Sequence, residues 1–133
     1  MASGYVVTVE IGLFSGRRNP QLSLTGEPLQ RFAASVKTAI GKEPIHPPPA
    51  PRLGHYYGFF VRPSGDVAAR LQLPPELDVY SGVLTERRGK EAKHWRDVDR
   101  VEQFLINQAF EQGYGGLLEK TGVQRSNGTP SRP

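Results

Sequence analysis

Arg17 and Arg18 stand side by side in FSGRRNP, residues 14 to 20, where Gly16, Asn19 and Pro20 mark a tight turn after an alternating apolar run. A guanidinium offers a planar fork of N–H donors that matches a carboxylate or phosphate, so a pair of them on one turn is a candidate anion clamp. Asn19, beside them, brings both a donor and an acceptor and is a candidate positioner. Further along, Arg52, His55 and Tyr57 cluster in PRLGHYYG, and Glu76 follows two prolines in PPEL. His55 is the group suited to proton transfer near neutrality, with Glu76 as its orienter or partner acid. Each residue also has an ordinary reading. Hairpin-tip arginines are commonly solvated, a histidine flanked by tyrosines packs at a strand end, and a glutamate after prolines can simply end a strand.

Other chemistries lack their residues. The sequence contains no Gly-rich phosphate loop, no HExxH and no GxSxG. His46, His55 and His94 are not at metal-ligand spacing, and the chain has no cysteine, so neither a metal nor another cofactor is expected. Trp95, between His94 and Arg96, can stack a base or ring, although a lone Trp in a small domain is more often a partial core residue.

The elements that must position these groups follow from periodicity. Tyr5, Val7, Val9, Ile11 and Leu13 share one face of an alternating run, which predicts a strand with one buried face. QLSL returns after the turn as a second strand. Leu29, Phe32, Ala33, Val36 and Ile40 fall at helical spacing, predicting an amphipathic helix over 27–40 that starts at Thr25 and stops at Gly41. GKEPIHPPPAPRLG carries five prolines in fourteen residues and reads as a stiff, extended connection. HYYGFFVR is expected as a central strand, with Gly58 marking a close backbone approach. Val67, Ala69, Leu71 and Leu73 alternate as a returning strand, and DVYSGVLT makes a fifth. ERRGKEAKHWR reads as a polar loop. Asp97 or Asp99 caps a second helix with Val98, Val101, Phe104, Leu105 and Ala109 inward, Asp99 and Glu102 having capping-box spacing.

The expected fold is therefore α+β: two layers, an antiparallel sheet of about five strands with two helices packed on one face, in the order ββαβββα. Residues 1–120 make a single domain, and 121–133, lacking periodicity, make a disordered C-terminal tail. Because each element crosses the domain once, Arg17, Arg18, Asn19, Arg52, His55 and Glu76 are expected to meet at one end of the sheet. The loop with Lys93, His94, Trp95 and Arg96 is expected at the other.

Composition sets outer bounds. The chain has 133 residues, 37% hydrophobic and 23% charged, with net charge +4 and a pI near 9.6. That is a globular composition with a basic surplus, which directs attention to anionic partners. The start, MASGYVVTVE, is not a secretory signal, and no apolar run reaches the roughly 20 residues a bilayer needs, so a cytoplasmic protein is expected.

FSGRRNPQLSL and LGHYYGFFV, taken with RDVDRVEQFLINQAF, resemble a group of small uncharacterised proteins carrying FSGRxNPxWxL followed by LGYxGF. The resemblance spans most of residues 5 to 110. It departs at Gln21 and Leu22, where no Trp stands, and at His55 and Tyr56. It implies that the turn and the start of the third strand matter together, and it carries no function with it.

The function expected from these residues is binding of an anionic organic ligand or a peptide carboxylate at that end of the sheet. Arg17, Arg18, Asn19, Arg52 and Tyr57 would line the site. Metal-free acid–base chemistry by His55 and Glu76 (isomerisation, cyclisation or elimination) remains an open extension. One alternative is an RNA or single-strand binding module, disfavoured because acidic residues interrupt any basic face. Another is a partner-binding subunit or homodimer that uses an exposed sheet face.

Overall fold

The first alternating run becomes β1 (Val6–Ile11), with Val7, Val9 and Ile11 buried and Val6 and Thr8 turned outward. The computed structural model describes residues 5–13, 18–52 and 54–123. After β1 come β2 (Gln21–Thr25), α1 (Gly26–Ala39), β3 (Phe59–Val61), α2 (Gly65–Leu71) and β4 (Glu76–Tyr80). β5 (Val83–Arg88), β6 (Glu91–Arg96), α3 (Val101–Glu111) and α4 (Gly115–Lys120) complete the described chain. The architecture is α+β, as expected, with a six-stranded sheet ordered β2-β1-β3-β4-β5-β6 in which every neighbouring pair is antiparallel.

Register separates the two faces of the sheet. Across one face run Ile11, Phe59, Val79, Leu84 and Trp95, each opposite the next. α1 and α3 cover this face. α1 buries Leu29, Phe32, Ala33, Val36 and Ala39, and α3 buries Val101, Leu105, Ile106 and Ala109. The expected stripe of α1 holds except at Ile40, which is only half-buried as the cap residue. Across the opposite face run Glu10, Phe60, Asp78, Thr85 and His94. No helix is described as packing there.

Three expectations are corrected. Residues 67–73 do not return as a strand but form α2. Val67 and Leu71 satisfy helical spacing as well as alternation, and their packing against the core decides, with a local contribution from the cap: Ser64 Oγ accepts from the Val67 N–H at 3.4 Å. Gln72, at φ 59°, then closes the helix ahead of Pro74 and Pro75. DVYSGVLT is not one strand but the end of β4, a turn at Ser81 and Gly82 (φ 55° and 77°), and the start of β5. Two left-handed central residues are what a tight hairpin with the sheet's own twist requires. The polar stretch 86–96 is not a loop but most of the β5–β6 hairpin. Its polar alternation follows from partial exposure on both faces, and Glu86, its one buried member, pairs with Arg88 at 3.0 Å and accepts from Trp95 Nε1 at 3.0 Å.

Both sheet edges are blocked. On β2, the Gln112 side chain acts as one unit of an extra strand: its Nε2 donates to the Ser23 carbonyl at 2.8 Å, and its Oε1 accepts from the Ser23 N–H at 3.2 Å. Tyr114 donates its hydroxyl to the Gln21 carbonyl at 2.9 Å. On β6, Glu43 and Ile45 pair with Arg96 and His94 (Arg96 N to Glu43 O 2.8 Å, Ile45 N to His94 O 3.1 Å). Unpaired edges invite pairing with other chains, so these contacts are a defence. The fold also takes in the first residues of the expected tail, since Thr121 accepts from the Tyr56 N–H at 3.3 Å and Val123 packs against the core. Residues 124–133 lie outside the described residues.

Two outcomes test this packing. Phe32→Ala should cost about 3–5 kcal/mol in a urea titration, because the ring is fully enclosed and leaves a cavity. Gln112→Ala should shift the protein toward larger species in sedimentation at matched concentration, because it uncovers the Ser23 peptide groups on the β2 edge.

Candidate functional site

The proline-rich connection is the element that makes a site. Gly41, at φ 82°, ends α1, and the chain then runs along the β6 edge, where Pro44 sits opposite Trp95. A proline suits this position because the flanking Glu43 and Ile45 make the edge hydrogen bonds and no N–H is needed between them. Glu43 adds an ion pair to Arg96 Nε at 2.6 Å. From the edge, Pro47 to Pro51 pass over the open face of the sheet and wall one side of a half-open groove of about 370 Å³. Phe60, Asp78, Thr85 and His94 form its floor, joined by Tyr57, Tyr80 and Arg87. Four adjacent strands supply that floor, so it is about 14 Å wide at the usual strand spacing.

The far end of this strap is held by a polar network. Tyr56, buried, donates its hydroxyl to Glu102 Oε2 at 2.5 Å. Glu102 also accepts from the Gly82 N–H at 2.8 Å and the Ser81 N–H at 3.2 Å, so one carboxylate ties the strap to α3 and the β4–β5 turn. Burial first, then the Glu102 carboxylate, hold the Tyr56 hydroxyl far above the usual phenol range. Asp97, rather than Asp99, anchors the start of α3, accepting from the Val101 and Glu102 N–H groups at 2.7 and 2.8 Å. Burial pushes its carboxyl upward, against the lowering effect of those two hydrogen bonds.

Within the groove, aromatic rings lie toward β3 and charged groups toward β5. The Tyr57 and Phe60 rings meet at 5.7 Å and 47°, and the Arg62 guanidinium sits 5.7 Å from the Phe60 centroid. Gly12 lets both rings lie against β1, since a Cβ there would come within 2.7 Å of Tyr57 and 2.9 Å of Phe60. Asp78 is shared between two arginines. Arg87 Nε donates to its Oδ2 at 2.9 Å, while Arg62 Nη2 lies 3.2 Å from Oδ1, in ion-pair contact but without hydrogen-bond geometry. Thr85 Oγ1 and His94 Nδ1 are hydrogen-bonded at 3.0 Å.

The residues singled out from sequence are only partly gathered. Asn19 and Tyr57 meet: the Asn19 amide donates to the Tyr57 hydroxyl at 3.0 Å and to Glu10 at 2.7 Å, and accepts from the Leu13 N–H at 3.0 Å. Asn19 thus braces the first turn and one groove wall. Arg17 lies outside the described residues, and Arg18 is exposed. Arg52 and His55 are exposed in a short turn closed by the His55 N–H on the Arg52 carbonyl at 3.1 Å. The His55 ring lies beside the α4 end, with Nδ1 3.5 Å from where a Gly122 Cβ would stand.

Glu76 corrects the expected convergence. It begins β4 at the end of the sheet away from Asn19 and His55, because α2 turns the chain round at the far end instead of carrying it back. Its ion-pair partner is Arg62 at 3.7 Å, so the proposed His55–Glu76 acid–base pair does not form. Trp95 takes its ordinary role, half-buried against the core. The groove residues missed from sequence are Phe60, Asp78, Tyr80, Thr85, Arg87 and His94. A polar set alternating with Leu77, Val79 and Leu84 was the available signal, once β4 and β5 are split at Ser81 and Gly82.

Among the described residues no helix is long and apolar enough to cross a membrane. No family model, curated protein or solved structure matches the chain.

The Tyr56–Glu102 bond predicts a pH dependence with a definite sign. A hydroxyl raised in the folded state contributes stability that is present below the unfolded value of 10.0 and is lost as the pH climbs past it. Tyr56→Phe should lower stability by about 1.5–3 kcal/mol at pH 7 in urea unfolding, the range for a hydrogen bond to a charged group. The variant should also lose less stability than the parent above that pH.

Proposed function

We propose that the protein binds a small ring-containing organic molecule in the groove between the proline strap and the open face of the sheet. The observation that carries this reading is the half-open groove itself. Its volume of about 370 Å³ falls in the range of small-ligand sites, and it combines apolar walls with a few convergent polar groups. Tyr57, Phe60 and Tyr80 supply flat apolar surface, and Asp78, Thr85, Arg87 and His94 supply directional contacts.

The strap suits such a role. Prolines at 47, 48, 49 and 51 bring no N–H groups, so they cover the groove without adding donors that an apolar ring would leave unpaired. Their fixed φ also lowers the ordering cost when a ligand closes against them. This reading moves the expected site from the Arg17–Arg18 turn to the sheet face and keeps Tyr57 and, through its hydrogen bond, Asn19.

Two-dimensional NMR with a panel of ring-containing fragments provides the test. Amide shifts should concentrate at Phe60, Asp78, Thr85 and His94, and at Ala50 within the strap. His94→Trp, which places a larger ring on the half-exposed β6 side of the floor, should abolish them while leaving the melting temperature within a few degrees. Shifts confined to other surfaces, or none across the panel, would refute the reading.

A further inference from the structure

The ligand class follows from which polar groups in the groove are already engaged, an argument that rests on the groove reading above. A cationic ligand needs a carboxylate. The open face offers Asp78, Glu76 and Glu10, yet Asp78 is held by Arg62 and Arg87 at 3.2 and 2.9 Å, Glu76 by Arg62 at 3.7 Å, and Glu10 by Asn19 at 2.7 Å. Glu76 and Glu10 are engaged, and Asp78, although its Oδ1 makes no hydrogen bond, is enclosed and has its charge matched by two guanidiniums.

The donors are different. Arg87 is the one arginine or lysine lining the groove among the described residues, and it meets Asp78 through Nε alone. Its two terminal amino groups have no partner among the described residues, and together they form the outer edge of the guanidinium fork. That edge can hold a carboxylate through two parallel bonds. Asp78 fixes the direction of the fork. Arg62, outside the groove, offsets the Asp78 charge, so Arg87 is oriented by Asp78 without being fully neutralised by it. Thr85 and His94 satisfy each other through Oγ1 and Nδ1, leaving the second ring nitrogen of His94 as a further contact on the same side.

The groove is therefore polarised. Rings lie toward β3 and β4, and the free Arg87 donors and the second His94 ring nitrogen lie toward β5 and β6. We propose that its ligand is a small aromatic carboxylate, its ring over Phe60 beneath the strap and its carboxylate on the outer edge of Arg87.

The test compares benzoate with benzamide, which has the same ring and nearly the same shape but no charge, titrating each by NMR. Benzoate should bind roughly ten- to a hundred-fold more tightly, the usual gain from charge-assisted bonds. In Arg87→Gln the two should bind alike, with benzamide affinity little changed. Arg87→Lys, which keeps the charge without the fork, should lose part of the preference. It also serves as the second variant should Arg87→Gln fail to fold. Equal binding of both probes to the parent, or a preference that survives both substitutions, would overturn the carboxylate assignment and leave the groove reading standing. If neither probe, nor any other ring-containing fragment, moved the groove resonances, both would fall.

Discussion

Everything on the open face depends on the register of a three-residue strand, Phe59–Val61, held between β1 and β4. Alternation along this strand sends Phe59 into the core and Phe60 to the groove. A slip of one residue would exchange the two faces, turning Val61 out of the core and Arg62 toward it. Two close backbone approaches pin the register. Gly12 donates its N–H to the Gly58 carbonyl at 2.7 Å and accepts from the Tyr57 N–H at 2.8 Å. On the other side, a Cβ at Gly58, whose φ is 112°, would stand 2.6 Å from the Val79 carbonyl oxygen. The glycine at that position is thus required twice over, by its conformation and by the space.

A strand so short gains little from its own ladder and must be delivered in place. The strap does this. It is tied to the β6 edge through Glu43 and Ile45 and to the core through Tyr56 and Glu102, so both ends of the proline segment are fixed. Between those ties the prolines need few partners, which lets the segment cross an open sheet face without leaving N–H groups unpaired. The same crossing creates the groove. A connection made of residues with free N–H groups would need either water or the sheet edge to satisfy them, and would not stand clear of the face.

The charges on the open face have a consistent logic. Four of them, Arg62, Glu76, Asp78 and Arg87, form a chain of ion pairs from 2.9 to 3.7 Å. Most of these side chains are half-exposed, so their pairing contributes little to stability and chiefly sets direction. Asp78 is the exception: at 18% side-chain exposure it is the best enclosed of the group and the one both guanidiniums address. An enclosed carboxylate between two arginines fixes where Arg87 points.

The sequence by itself determined β1, β2, α1 and the buried Val101, Leu105 and Ala109 of α3, although Val98, expected inward with them, lies before the helix and is exposed. Each of these elements carries its own periodicity over enough residues to have one meaning. It also determined the close approach at Gly58 and the extended nature of the proline connection, which are local properties of glycine and proline. What only the tertiary structure decided was the direction of the chain after β3. Val67 and Leu71 fit a strand and a helix equally, and their packing against the core, to which the Ser64 cap adds a small local contribution, settles the matter in favour of α2. That single choice moves Glu76 to the opposite end of the sheet and, with the turn at Ser81 and Gly82 and the hairpin after it, brings His94 onto the floor of the groove. Asn19 and Tyr57, close to strands whose periodicity is unambiguous, were legible as neighbours. Asp78, Thr85, Arg87 and His94 were not, because lateral neighbours in a sheet are chosen by register between distant strands, and register is fixed by packing against α1 and α3 rather than by any residue's own preference.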